Sequence, residues 1–337
     1  MTIVKKVLFV ANYHKGLGGI SGQVEALVKN LSLEDGIVVG VFSTKGSVIQ
    51  RLLYFFSLLL KARKYDVLHV HGCSYLGFLP VVYGVMAGKL WRKRVVVTYH
   101  GGEAEEFFSK YPRWVRFWLM KADKRVVLSD FLRVVFDKFS IPACVIPNIV
   151  ETRKDLYVAK TELRPRFISV RHLKELYNIP CVLRAFARVQ QQLPESELTV
   201  LGDGEQRSML ENMVKEMRLE KVSFVGQVPN EEIWDYLKTN DIILSSPWAD
   251  NMPVSLLEAF SAGLLVISSN VGGVPYLVDN GSTGLLFDPD DDQGMASQML
   301  WALSHQKESL EMIAKARKKV EEFSWDNIRE KIVSLYE

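Results

Sequence analysis

The stretch Trp248-Ala-Asp250-Asn251-Met252-Pro253-Val254-Ser-Leu-Leu-Glu258-Ala-Phe-Ser-Ala-Gly263 holds two carboxylates, eight positions apart, around a helix start. Asn251 is a good helix N-cap and Pro253 suits the first turn, so a helix is predicted from near Met252 to a stop at Gly263. Asp250 then lies just outside the helix, where free backbone N–H groups point outward. Glu258 lies more than a turn inside, beside Leu256, Leu257, Ala259 and Phe260. A carboxylate in that company is costly unless hydrogen-bond donors reach it, and a polyhydroxylated ligand would supply them. An acidic cap followed by a salt-bridged helix Glu would use the same residue types. The flanks favour the ligand, because Ser245-Ser246-Pro247 closes one strand before the pair and Leu264 to Ser268 forms the next strand after it.

Outward from this segment, short apolar strands alternate with longer helical patterns, the rhythm of parallel α/β sheets. Strands are predicted at residues 6–13, 37–43, 66–71, 94–100, 124–128 and 144–147, then again at 166–170, 197–201, 222–225, 241–245, 264–268 and 284–287. A charged, non-periodic stretch up to Pro165 separates the two series. Two doubly wound, Rossmann-like units are therefore expected at 1–155 and 160–320, with 321–337 a helix crossing back to the first. Ligands of such sheets sit beyond the carboxyl ends of the strands, and both sets of ends are expected to face one cleft. His71, His100, Arg171 and Asp250 all fall at or just past strand ends. No internal repeat or low-complexity segment interrupts the pattern.

The chain has 337 residues, 48% hydrophobic and 24% charged, enough for two cores of an ordinary globular protein. The net charge of +3 conceals an asymmetry: residues 1–150 carry 21 Lys and Arg against 10 Asp and Glu, and the remainder carries 21 against 29. No nucleic-acid module accompanies the basic half, so nucleic acid is not the expected partner. An anionic membrane surface suits it better, because Phe107 to Arg125 alternates large aromatics with cations at helical spacing. A core-packing helix with a solvated basic face would show the same pattern, as would the apolar run Leu52 to Leu60. Neither of the long uncharged runs reads as a membrane span, and the first strand lacks the features of a signal peptide, so a cytoplasmic location is expected. Cys73, Cys144 and Cys181 cannot close a disulfide framework, and the six histidines show no metal-ligand spacing; no metal or other cofactor is expected.

Gly16-Leu-Gly18-Gly19-Ile-Ser21-Gly22 follows the first strand and opens a helix, where bare amides can receive a phosphate oxygen. It lacks the third glycine of a dinucleotide fingerprint, and the second strand ends in Ser43-Thr44 rather than in a ribose-binding acid. A NAD-dependent oxidoreductase is thus a minor alternative.

The Asp250-x7-Glu258 spacing resembles the Glu-x7-Glu signature of family 4 glycosyltransferases of the GT-B fold, with Asp250 standing where the first Glu usually stands. The resemblance covers nearly the full length and is strongest from Phe167 to Asp288. It implies a retaining transferase in which the second unit binds a nucleotide sugar, UDP-linked as the preferred guess, and the first binds a saccharide or lipid-linked acceptor. Surface polysaccharide or glycolipid assembly is the implied setting. Asp250 would hold donor-sugar hydroxyls and Glu258 the ribose. Arg171 would clamp the diphosphate, while Tyr177 and Asn178 stand where the family shows Lys and Gly, so either Tyr177 gives the diphosphate a single hydrogen bond, or Lys174 restores the second charge, or the clamp is weaker. Gly18 and Gly19 would approach the diphosphate, as would the helix start at Asn251, Met252, Pro253 and Val254. Gly204, Glu205 and Gly226 would lie near the base. His100, followed by Gly101 and Gly102, would sit at the reacting sugar, with His71 lining the acceptor side. A sugar-nucleotide 2-epimerase of the same fold, or a sugar-binding protein that has lost catalysis, remains open.

Overall fold

The computed structural model describes residues 4–16, 19–46, 48–152 and 154–337. The chain divides into two units, Met1–Ile149 with Trp325–Glu337, and Val150–Ser324. In the first, the order begins β1 (Lys5–Ala11), α1 (Ile20–Leu31), β2 (Ile37–Ser43), α2 (Val48–Ala62), β3 (Val67–Gly72) and α3 (Leu79–Leu90). It continues through β4 (Arg94–Tyr99), α4 (Ala104–Lys110), α5 (Pro112–Met120), β5 (Lys124–Val127), α6 (Asp130–Lys138) and β6 (Cys144–Val145). The second unit starts with β7 (Arg166–Val170), α7 (Ile179–Gln192), β8 (Glu197–Leu201), α8 (Arg207–Glu216), β9 (Val222–Gly226) and α9 (Ile233–Thr239). It then runs β10 (Ile242–Ser245), α10 (Val254–Ala262), β11 (Leu265–Ser269), α11 (Val274–Leu277), β12 (Leu285–Phe287), α12 (Asp292–Ser304) and α13 (Gln306–Val320). A last helix, α14 (Trp325–Val333), belongs to the first unit, so the return occurs at Trp325 and the division at 149/150.

Each unit holds a six-stranded, wholly parallel sheet, ordered β2-β1-β3-β4-β5-β6 in the first and β12-β11-β10-β7-β8-β9 in the second. Parallel strands need crossover helices, which cover both faces of the sheet. Hence every residue of β3 and of β11 is buried, histidines and serines included. The helices show the matching stripe: in α7, Ile179, Val182, Leu183, Phe186 and Val189 are buried at helical spacing against the sheet. Truncating Phe186 to Ala would cost about 3–5 kcal/mol.

The strand orders fix where chemistry can sit. The chain leaves β1 toward β2 and returns on the other side to β3; in the second unit it runs from β7 out to β9 and returns on the other side to β10. Neighbouring loops part at these reversals and leave a crevice past the carboxyl ends of the strands. The reversal of the first unit therefore lies above β1 and β3, and that of the second above β7 and β10.

Candidate active site

At the reversal of the second unit, Arg171 follows β7 directly and its amide donates to the Leu201 carbonyl at 3.0 Å. Its guanidinium reaches the end of β10, where Nη2 donates to Ser245 Oγ at 3.0 Å. It also pairs with Asp250, Nη1 to Oδ2 at 3.0 Å, with both side chains largely shielded from solvent. The ring of Tyr177 lies under the guanidinium, 5.3 Å from its centroid, so this residue supports the cation instead of adding a second charge. Lys174 is exposed.

The two acids differ. Asp250 was expected to offer its carboxylate to sugar hydroxyls, but one oxygen faces Arg171 and the other accepts the Asn251 amide at 2.8 Å. Glu258 accepts no hydrogen bond from the described residues, and burial pushes its carboxyl up to about 8, with Arg171 acting in the opposite direction. The side chain keeps partial exposure, so its oxygens are open to donors from outside the protein, such as ligand hydroxyls.

The expected start of α10 needs correction. The helix begins at Val254 and Pro253 is its cap, with no side-chain capping bond. Asn251 is instead drawn inside, 2% exposed, and its carbonyl lies so close to Gly273 that an added Cβ there would come within 1.9 Å. Met252 and Pro253 are buried as well, and α10 ends at Gly263 in the left-handed region as predicted. Leu256 and Leu257 amides turn back to the Pro253 carbonyl, leaving those of Val254 and Ser255 at the open helix end.

The glycine turns after β8 and β9 are explained by backbone crowding. At Gly202, φ is +136° and a Cβ would lie 1.9 Å from the Arg171 carbonyl, while at Gly204 it would lie 2.4 Å from that of Leu173. The Gly202 amide donates to the Gly226 carbonyl, and that of Gly204 to Asp203, so neither N–H is left for a base. Glu205 is exposed.

In the first unit, the glycine loop is tied down from within: Gly16 donates its amide to Glu25 at 2.7 Å, and Gly19 caps α1 with φ of 65°. Gly18 lies outside the described residues. On β3 and just past β4 stands a group of imidazoles. His100 Nε2 is 2.8 Å from His71 Nδ1, and His69 is held by Tyr336 at 2.9 Å and Thr98 at 2.7 Å. Burial pushes His69 and His100 down to about 3 and His71 well below its ordinary value, so all three rings are neutral. His71 is 1% exposed, which corrects its expected place on the acceptor surface: it backs His100 instead. His100 and the following Gly101 and Gly102 keep partial exposure.

Sequence reasoning missed Ser245 as a partner of Arg171, the Arg171–Asp250 pair, and His69 with Tyr336. Their separations in the chain are 74, 79 and 267 positions, too long for any local pattern to disclose. Among the described residues no group of His, Cys, Asp and Glu is arranged to hold a metal ion. None of the described helices is long and apolar enough to cross a membrane. The outer helices of the first unit are nevertheless apolar and basic. Trp114, Phe117 and Met120 of α5 are exposed, as are Leu53, Phe56 and Leu60 of α2, and α3 packs against both helices.

Residues 154–319 match the family model described as glycosyl transferases group 1, and residues 24–154 that of glycosyltransferase family 4. The chain is 26% identical over 288 residues to the N-acetyl-alpha-D-glucosaminyl L-malate synthase of Bacillus anthracis, covering 81% of this chain and 73% of that protein. It is 29% identical over 264 residues to the amylovoran biosynthesis glycosyltransferase AmsK of Erwinia amylovora, covering 71% and 63%. The crystal structure of Anabaena Alr3699/HepE in complex with UDP-glucose superposes with a TM-score of 0.80 at 18% identity, over 98% of each chain.

Proposed function

Because the chain belongs to the GT-B glycosyltransferases, we propose that it moves a sugar from a UDP-sugar to a lipid-linked saccharide with retention of anomeric configuration, in polysaccharide or glycolipid assembly. The observation that carries this reading is Glu258, a carboxyl beside the Arg171 cluster with no hydrogen-bond donor among the described residues. In the proposal a ribose supplies the missing hydroxyls, and the diphosphate lies toward Arg171 and the Val254 and Ser255 amides. The bond from the anomeric carbon to the donor phosphate breaks, the acceptor oxygen bonds to that carbon, and the acceptor proton passes to the departing phosphate. Arg171, Lys174 and the open end of α10 stabilise the charge that develops there. In the proposal Lys174, exposed at the surface, moves toward the diphosphate. His100, a neutral ring, hydrogen-bonds a hydroxyl of the reacting saccharide.

The preference for UDP follows relatives and structural neighbours whose names include UDP, among them the UDP-glucose complex of Alr3699/HepE and an Escherichia coli UDP-Gal:alpha-D-GlcNAc-diphosphoundecaprenol alpha-1,3-galactosyltransferase. The lipid-linked acceptor is supported by the aromatic and cationic outer face of α5, with Arg113 and Arg116 beside Trp114 and Phe117. A peripheral place on the cytoplasmic face of a membrane is part of the proposal. Thermal shift with UDP-, GDP- and other nucleotide sugars, run in EDTA, is the direct test, since a bound donor raises the melting temperature. Stabilisation by UDP-sugars is expected, and by none of the panel would reject the reading. Binding to anionic vesicles at low salt, lost in a Trp114→Ser, Phe117→Ser variant, checks the membrane face.

A further inference from the structure

His69 and His71 stand two positions apart on β3 and so point to one side of the sheet. His100 is one residue past β4, where its amide donates to the Gly72 carbonyl at 2.8 Å. That backbone bond sets the register that brings His71 Nδ1 to 2.8 Å from His100 Nε2. The His71 ring has no room to turn. The ring of Phe9 lies 5.7 Å away and that of His69 4.6 Å away, the latter fixed in turn by Tyr336 and Thr98. The other nitrogen of His71, Nε2, is buried with no hydrogen-bond partner.

Two neutral imidazoles joined by one hydrogen bond share one proton between the facing nitrogens, and the bond can run either way. If His100 donated, His71 would carry its proton on Nε2, an enclosed N–H with nothing to accept it. If His71 donates, Nε2 keeps only a bare lone pair, and orphaned N–H groups are the rarer of the two in protein interiors. We infer that His71 is a positioning residue that donates its Nδ1 proton to His100 Nε2 and so locks His100 in the tautomer whose Nδ1–H is turned to the ligand. His100 Nδ1 accordingly has no partner among the described residues. The saccharide group opposite it must then be an acceptor, a hydroxyl or ring oxygen. This last step rests on the transferase reading, whereas the tautomer is a property of the first unit itself.

The two parts are separable by experiment. Two-bond ¹H–¹⁵N spectra of the whole protein labelled at histidine report which nitrogen of His100 is protonated. Nδ1–H is expected, and Nε2–H in the unsubstituted protein would overturn the inference whether or not any variant folds. His71→Ala should release the tautomer preference of His100. It should also lower the kcat for UDP-glucose hydrolysis roughly tenfold, the scale of one lost hydrogen bond, with KM little changed. His71→Asn, whose amide can donate from the place of Nδ1, should restore most of that loss and the His100 spectrum. A His71→Ala protein with unchanged spectrum and kcat would overturn it too. If the unsubstituted protein turned over no nucleotide sugar, the functional reading would fall and the tautomer result would stand.

Discussion

The two sheet reversals occupy equivalent places in their strand orders and carry opposite chemistry. Above β7 and β10 an ion pair, Arg171 with Asp250, stands beside Glu258, a carboxyl that burial keeps protonated up to about pH 8. At the reversal of the first unit the groups are neutral: His69 and His71 on β3 and His100 just past the neighbouring β4 are held uncharged by burial and fixed by Thr98, Tyr336 and one another. The topology selects the location, and the side chains placed there select the chemistry. Under the proposed function, the second unit keeps charge where a diphosphate would depart, and the first keeps uncharged donors and acceptors where hydroxyls would be sorted.

Substitutions on the ionised side should break this contrast most sharply. Arg171→Ala is expected to lower kcat/KM for a UDP-sugar by about 10²–10³, the scale of removing one preorganised donor from a developing oxyanion. Assays of donor turnover that showed less than a tenfold loss would mean that the charge is stabilised elsewhere. Asp250→Asn should act in the opposite sense on binding. With its carboxylate partner gone, Arg171 is free for phosphate, so calorimetry should show UDP binding about tenfold tighter, the gain of one charge-assisted bond, while kcat falls. Weaker UDP binding in that variant would return Asp250 to the ligand.

The smallest effect is a pH slope. Glu258 titrates near 8 in the folded chain, so between its ordinary carboxylate range and 8 the folded state holds the extra proton. Stability from this group is therefore full at acid pH and is lost as pH rises through 8. Glu258→Gln should flatten that part of the melting-temperature profile. Donor binding should also release up to one proton near pH 7, because ribose hydroxyls favour the ionised form. Calorimetry in buffers of different ionisation enthalpy measures it, and no release in the unsubstituted protein would show that the carboxyl meets no ligand donors.

The strands were readable because their signals are local. Residues 37–43, 166–170 and 197–201 match β2, β7 and β8 end to end, since each is a short apolar run bounded by polar or turn residues. The place of Arg171 followed from 166–170, and those of Asp250 and His100 from the expected strands 241–245 and 94–100. What the residues do to one another was not readable. The Arg171–Asp250 pair depends on β7 and β10 being neighbours although two strands intervene in sequence. The burial of His71 depends on β3 being covered on both faces, which alternation alone does not disclose. The start of α10 was missed because Asn251 is a favourable cap by residue type, but packing of its backbone against Gly273 takes it out of the capping position.

The return of Trp325–Glu337 to the first unit sets an order on biosynthesis. Tyr336, buried behind His69, and Arg329, bonded to Glu34, are made only after residues 150–324 have left the ribosome. Domains generally mature from the amino terminus onward. Here the half made first must wait for the half made second, and a nascent chain stalled or clipped before Trp325 would hold a finished second unit while the histidine cluster of the first lacks its last support.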